Sequence, residues 1–210
     1  MKKKKHYISI MGTIASGKTT VSKLLADRLG FHLIEENFGE NLFLPWFYED
    51  MKRWAFHSQT FFLMEKITQM FHTKTLIAKK HVIQDTPIYQ DVYSYAKAQY
   101  VLGNIKNAEW KLYQKIYKSF EPVLPVPDLI IYLNASLDNI TKRITSRGRS
   151  YEQNISESYL ELLDMLNRKF ISENKKLPVL TIDTDKLNVV YSPKARNTVA
   201  EIVKKQLKKI

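Results

Sequence analysis

The chain is predicted to adopt an α/β fold: a parallel sheet of about five strands, covered by helices on both faces. Three observations carry this expectation. Short β-branched or aromatic runs recur along the chain, and each is followed by a helical pattern or by a cluster of polar residues. The length of 210 residues with 44% hydrophobic content suits one sizeable core, so a single domain spanning 1–210 is expected. No repeat, low-complexity segment or linker divides it. Strands that alternate with helices pair in parallel, and such sheets hold ligands at the carboxyl ends of their strands.

The elements follow in order. The first strand is read at Tyr7–Met11, and the helix Lys18–Leu29 closes on Gly30, a residue that accepts left-handed geometry. The second strand is His32–Glu35, the third Val82–Gln84, the fourth Leu129–Leu133 and the fifth Val179–Ile182. Helical patterns run from about Phe56 to Lys80, Tyr89 to Leu102, Asn107 to Phe120, Leu137 to Ser146, Ser156 to Lys175 and Pro193 to Lys209. The proline-rich stretch Pro122–Pro127 leads straight into the fourth strand and reads as a rigid connection.

With no cysteine, the chain has neither disulfides nor thiolate metal sites, and its five histidines show no ligand spacing. The basic tail 1–6 resembles the start of a signal peptide, but the apolar stretch after it is too short, so a soluble cytoplasmic protein without membrane attachment is expected. A formal charge of +12 would suit a phosphate-bearing partner. The lysines are scattered over the tail, isolated pairs and the last helix, which reads as solvated faces; nucleic acid is not the expected partner.

Gly12-Thr13-Ile14-Ala15-Ser16-Gly17-Lys18-Thr19 fits G-x-x-x-x-G-K-[ST] between a strand and a helix, the pattern of a phosphate-binding P-loop. Glycines let the backbone curl so that N–H groups face a phosphate, and the helix N-terminus adds favourable charge. Residues 12–20, Thr20 included, are the expected ATP cradle, with Lys18 on the β- and γ-phosphates and Thr19 on Mg²⁺. As a loop cation, Lys18 is expected to be exposed and to contribute little to stability. Arg143, Arg147 and Arg149 cluster with Gly148 after the fourth strand. They suit a mobile segment that brings cations to the γ-phosphoryl, although a basic helix end also explains Arg143.

Carboxylates crowd the stretch after the second strand (Glu35, Glu36, Glu40, Glu49, Asp50), where Arg53 is the one arginine before Arg143. A second phosphate would need arginines there. The acceptor is therefore expected to be a neutral hydroxyl compound, with a glutamate placed to take its proton; a solvated acidic loop is the alternative. Gln59 stands out as an amide in an apolar, aromatic stripe and suits ligand recognition. Asp85, ending the third strand, suits Mg²⁺ directly or through water, while Asp91 either faces the same pocket or begins a helix.

In these segments the chain resembles the deoxyribonucleoside kinase family, particularly bacterial deoxyadenosine, deoxyguanosine and deoxycytidine kinases. The resemblance rests, in order, on GTIASGKT, EENFGENLF, YEDMKRWAFHSQTFF, QDTPIYQD, RGRSYEQ and PVLTID. It implies a P-loop kinase fold and transfer of the γ-phosphoryl of ATP, with Mg²⁺, to the 5′-hydroxyl of a deoxyribonucleoside, a purine one being expected. It implies that Glu36 is the base, that Arg147 and Arg149 belong to a lid at about 147–154, and that Arg143 is a further phosphate contact. Tyr48 and Glu152 resemble the pair that holds the sugar 3′-hydroxyl, with Tyr48 crowding the 2′ position. Gln59 and Asp91 resemble the base readers, and a homodimer is implied. Two departures stand out: Thr86 where an arginine is usual, and Lys66 where an arginine helps Asp91 to frame the base. The alternatives are a nucleoside monophosphate kinase of the thymidylate kinase type and a basic nucleotide-binding protein that acts on nucleic acid.

Overall fold

The computed structural model describes residues 5–36, 38–153 and 155–210; most of the basic tail, Asn37 and the last residue of the expected lid lie outside the described residues. Five strands, β1 (Tyr7–Met11), β2 (His32–Ile34), β3 (Val82–Asp85), β4 (Leu129–Asn134) and β5 (Val179–Asp183), form one parallel sheet in the order β2-β3-β1-β4-β5. β1 is central, with Ile8 opposite Ile83 on one side and Leu129 on the other. All five of its residues are buried, as expected of a parallel strand covered on both faces.

Period-2 alternation divides the side chains between two layers. Ile8 and Ile10 pack with Ile131 and Leu133 under α1 (Lys18–Leu29) and α9 (Pro193–Leu207), which contribute Val21, Leu25, Val199 and Val203. Met11, Ile130 and Tyr132 face the other way and meet Phe170 of α8 (Glu157–Glu173). Beyond them, α3 (Met51–Leu76) and α6 (Asn107–Phe120) build a second core from Leu63, Ile67, Met70, Tyr113 and Tyr117.

Two helical features depart from the sequence reading. α2 (Leu44–Glu49) forms within the aromatic stretch, with Pro45 in its first turn, where a missing N–H costs nothing. α3 then starts at Met51, ahead of the expected Phe56, because the Asp50 carboxylate accepts from Arg53 N at 3.1 Å and caps the helix. The segment after β3 is also not a uniform helix. α4 (Ile88–Gln90) passes into a π-helical turn, Asp91–Ala96, before α5 (Lys97–Val101). α7 (Leu137–Arg147) follows β4 and ends on left-handed Gly148.

Candidate active site

The segments that follow β1, β2 and β5 open on a cleft of about 850 Å³. Its floor is the loop after β1. Gly12 has no room for a side chain, since a Cβ would come within 2.5 Å of Ser16 Oγ and 2.9 Å of Leu133 O. Gly17 sits at φ +99°, beyond the reach of most side chains, and caps the start of α1. Ile14 to Thr20 line the cleft, and the first turn of α1 directs N–H groups toward it.

The Gly12 N–H donates to Gln90 Oε1 at 3.0 Å, and Gly12 and Thr13 lie outside the cleft wall, to which the loop contributes 14–20. The loop corrects one expectation: Lys18 is not exposed. The residue is 9% exposed, and its ammonium donates to Gly12 O at 2.9 Å, Thr13 O at 3.1 Å and Tyr95 Oη at 3.3 Å. Burial pushes its pKa down, against the opposing pull of Asp85 and Glu36.

Thr19 Oγ1 donates to Asp85 Oδ2 at 2.5 Å. Two hard oxygen donors side by side at the head of a phosphate loop fit Mg²⁺, which is usually held by one or two protein oxygens plus phosphate and water.

Glu35 and Glu36 diverge. Glu35 pairs with Lys23 at the surface, each side chain 53% exposed, whereas Glu36 is 7% exposed and accepts from Lys66 Nζ at 3.1 Å. Lys66, on α3, also donates to Thr86 O at 2.9 Å and to Asp85 O at 3.4 Å, and lies 4.0 Å from Asp91 Oδ2. It stands behind the cleft wall, and its nearest carboxylate is Glu36 rather than Asp91. Burial works against its charge, but Glu36 and Asp91 outweigh burial and hold its pKa above the ordinary lysine range. Burial raises the pKa of Asp91 well above the usual carboxylate range, against the lowering effect of Lys66.

Tyr48, Gln59, Asp91 and Glu152 all line the cleft on the side of Glu36. The rings of Tyr48 and Tyr151 stand 5.3 Å apart. Glu152, in a short 3₁₀ turn Ser150–Glu152, is buried and accepts from Arg149 at 3.0 Å, with Arg147 at 3.7 Å. The carboxylate oxygens Asp91 Oδ2 and Glu152 Oε2 are buried without a hydrogen-bond partner. Arg143 also lines the cleft; its guanidinium donates to Thr184 Oγ1 and Thr184 O, both at 3.0 Å.

Sequence reasoning missed several wall residues. Residues 184–185 and 187–191 flank the loop side, and Phe47, Phe62 and Tyr95 flank the Glu36 side. The first group carries no motif, Phe47 and Phe62 belong to an aromatic stretch whose helical spacing also suits a core, and Tyr95 carries no signal of its own.

Lys66 gives a direct test of this arrangement. Lys66→Met removes one partner from a buried cluster and should cost about 3–5 kcal/mol, read as a lowered thermal midpoint. Lys66→Arg brings a planar fork able to span Glu36 and Asp91, and should shift relative kcat/KM among alternative acceptors. Unchanged ratios would count against it.

A family model described as deoxynucleoside kinase matches residues 8–208. A deoxyadenosine/deoxycytidine kinase of Bacillus subtilis (strain 168) is 37% identical over 191 residues, covering 88% of this chain and 87% of that protein. A deoxyguanosine kinase of the same strain is 32% identical over 202 residues, covering 94% and 96%. Among solved structures, deoxyadenosine kinase from M. mycoides with the products dCMP and a flexible dCDP bound superposes with a TM-score of 0.83 at 28% identity, covering 97% of this chain and 100% of that one. The same enzyme with bound dATP gives 0.80, covering 96% and 99%.

Proposed function

The chain belongs to the deoxynucleoside kinase family, and we propose that it transfers the γ-phosphoryl of ATP to the 5′-hydroxyl of a purine deoxyribonucleoside with Glu36 as the base. One observation supports the acceptor half most directly. Asp91 Oδ2 and Glu152 Oε2, on residues of the cleft wall, are buried without a hydrogen-bond partner, Lys66 Nζ standing 4.0 Å from the first, and leaving such oxygens without a donor is costly unless a ligand supplies one. A nucleoside carries matching donors in its sugar hydroxyl and base N–H groups. A monophosphate would instead bring negative charge toward Glu36 and Glu152, so the monophosphate kinase alternative is not favoured.

In the proposed step the 5′-oxygen attacks the γ-phosphorus, its proton passes to Glu36, and the bridging P–O bond breaks with its electron pair going to ADP. Lys66 holds the Glu36 carboxylate in place through its 3.1 Å contact. Lys18, Arg147 and Arg149 would neutralise the phosphoryl oxygens. Mg²⁺ held by Thr19 and Asp85 would screen the β- and γ-phosphates. Residues 147–154 act as the lid. The Arg147 and Arg149 contacts to Glu152 tie the cations of that lid to the group assigned to the sugar 3′-hydroxyl, with Tyr48 beside it filling the 2′ position. Gln59 and Asp91 read the base.

No helix among the described residues is long and apolar enough to cross a membrane. We place the enzyme in the cytoplasm as a homodimer, which light scattering of the purified chain tests. The function is tested by offering deoxyadenosine, deoxyguanosine, deoxycytidine, thymidine, adenosine and the monophosphates with ATP and Mg²⁺. Purine deoxynucleosides should give the highest kcat/KM. Turnover confined to monophosphates would overturn the proposal, and a preference for deoxycytidine would overturn its purine part.

A further inference from the structure

Gln90 belongs to none of the groups assigned a role above, yet it is fully buried beside the phosphate loop. Its carboxamide meets both backbone groups of one residue: Oε1 accepts from Gly12 N at 3.0 Å, and Nε2 donates to Gly12 O at 2.5 Å. The second hydrogen on Nε2 goes to Tyr95 Oη at 3.0 Å. An N–H on one side and a carbonyl on the other leave only one orientation of the amide, so its oxygen and nitrogen are assigned by chemistry. The Tyr95 hydroxyl in turn accepts from Lys18 Nζ at 3.3 Å. An unbroken chain of hydrogen bonds therefore runs from the first residue of the phosphate loop through Gln90 and Tyr95 to the phosphate lysine.

The π-helical turn makes this chain possible. Gln90 and Tyr95 are five residues apart, and in a regular α-helix they would point roughly 140° from each other. Hydrogen bonding over five residues in Asp91–Ala96 swings them toward the same side. Tyr95 also lines the cleft on the Glu36 side, so the chain joins the two halves of the site.

We propose that Gln90 and Tyr95 are positioning residues for phosphoryl transfer: Gln90 clamps the phosphate loop at Gly12, and the Tyr95 hydroxyl aims Lys18 at the junction between ATP and acceptor. Of the three acceptors that hold Lys18, two are carbonyls of its own loop; Tyr95 supplies the third from another element and so sets the direction of the ammonium. The inference rests on ATP occupying the phosphate loop.

Three measurements on the full chain test it: binding of a non-hydrolysable ATP analogue with Mg²⁺, steady-state kinetics with deoxyadenosine, and the thermal midpoint. Wild-type binding of the analogue comes first, and its absence would overturn the ATP reading along with the inference. Gln90→Met keeps the volume but removes all three hydrogen bonds. It should weaken the analogue and lower kcat by about tenfold each, while KM for deoxyadenosine stays within about threefold. Tyr95→Phe removes one oxygen and keeps the ring. It should lower kcat by about tenfold with KM for deoxyadenosine similarly unmoved, and it decides the matter alone if Gln90→Met does not fold. Wild-type kcat in Tyr95→Phe overturns the inference. So does a loss spread evenly over both substrates together with a lowered thermal midpoint, which would mark the network as merely structural.

Discussion

Glu36→Gln is expected to lower kcat by roughly 10²–10⁴-fold while leaving ATP binding nearly unchanged. The substitution keeps the shape of the side chain and removes the carboxylate. Its position explains why the effect should fall on chemistry: the side chain is 7% exposed, lines the cleft and is held by the Lys66 ammonium at 3.1 Å. Glutamine can still accept from Lys66 through its amide oxygen, so the local fold should persist. The measurement also reports on the acceptor. Were it a monophosphate, losing a negative charge close to it would tighten its binding, so KM would fall rather than kcat. Glu35→Gln is the control. Its carboxylate pairs with Lys23 at the surface, and such exposed pairs contribute little, so activity and stability should both stay near wild type. A damaging Glu35→Gln beside a harmless Glu36→Gln would move the role of base to Glu35.

Lys18→Ala should reduce transfer by about 10³-fold or more, because the ammonium acts on charge that develops at the transferred phosphoryl. Stability is the more informative readout. Burial already disfavours the charged lysine, and its removal lifts that cost while taking one donor each from Gly12 O, Thr13 O and Tyr95 Oη, which keep Gln90 Nε2, Ser16 N and Gln90 Nε2 respectively. These opposed effects should leave the thermal midpoint within a few degrees of wild type. Full activity in the variant would refute the role of the phosphate loop. A chain that no longer folds would show that Lys18 is chiefly a structural clamp, and Lys18→Met would then separate packing from charge.

The five strands and the phosphate loop were legible because their signals are local. A buried strand such as Tyr7–Met11 shows in five consecutive residues, and glycine at 12 and 17 with Lys18 and Thr19 forms a contiguous pattern. What escaped depends on contacts between distant residues or on helical phase. Lys66 and Glu36 are 30 residues apart, and no periodicity reveals that α3 delivers a cation to the end of β2. Asp-Val-Tyr-Ser-Tyr-Ala has the composition of an ordinary helix, so the π turn that aligns Gln90 with Tyr95 was read as α. α2 escapes because six residues are too few to show a helical period, and the burial of Lys18 escapes because one partner of its ammonium, Tyr95, lies 77 residues further on.

The strand order carries a consequence for how the chain is made. β1 emerges first from a ribosome, yet its neighbours are β3, beginning at Val82, and β4, beginning at Leu129. Until Leu129–Asn134 is synthesised, the central strand has an unpaired edge on at least one side, and the loop that follows it lacks Leu133 O, and before that Gln90 as well. Pairings this distant in sequence close slowly, and an apolar strand with a free edge can recruit other chains in the interval. Nascent chains that stall between β3 and β4 should therefore aggregate, and ATP should not rescue them, because its binding loop has yet to be assembled.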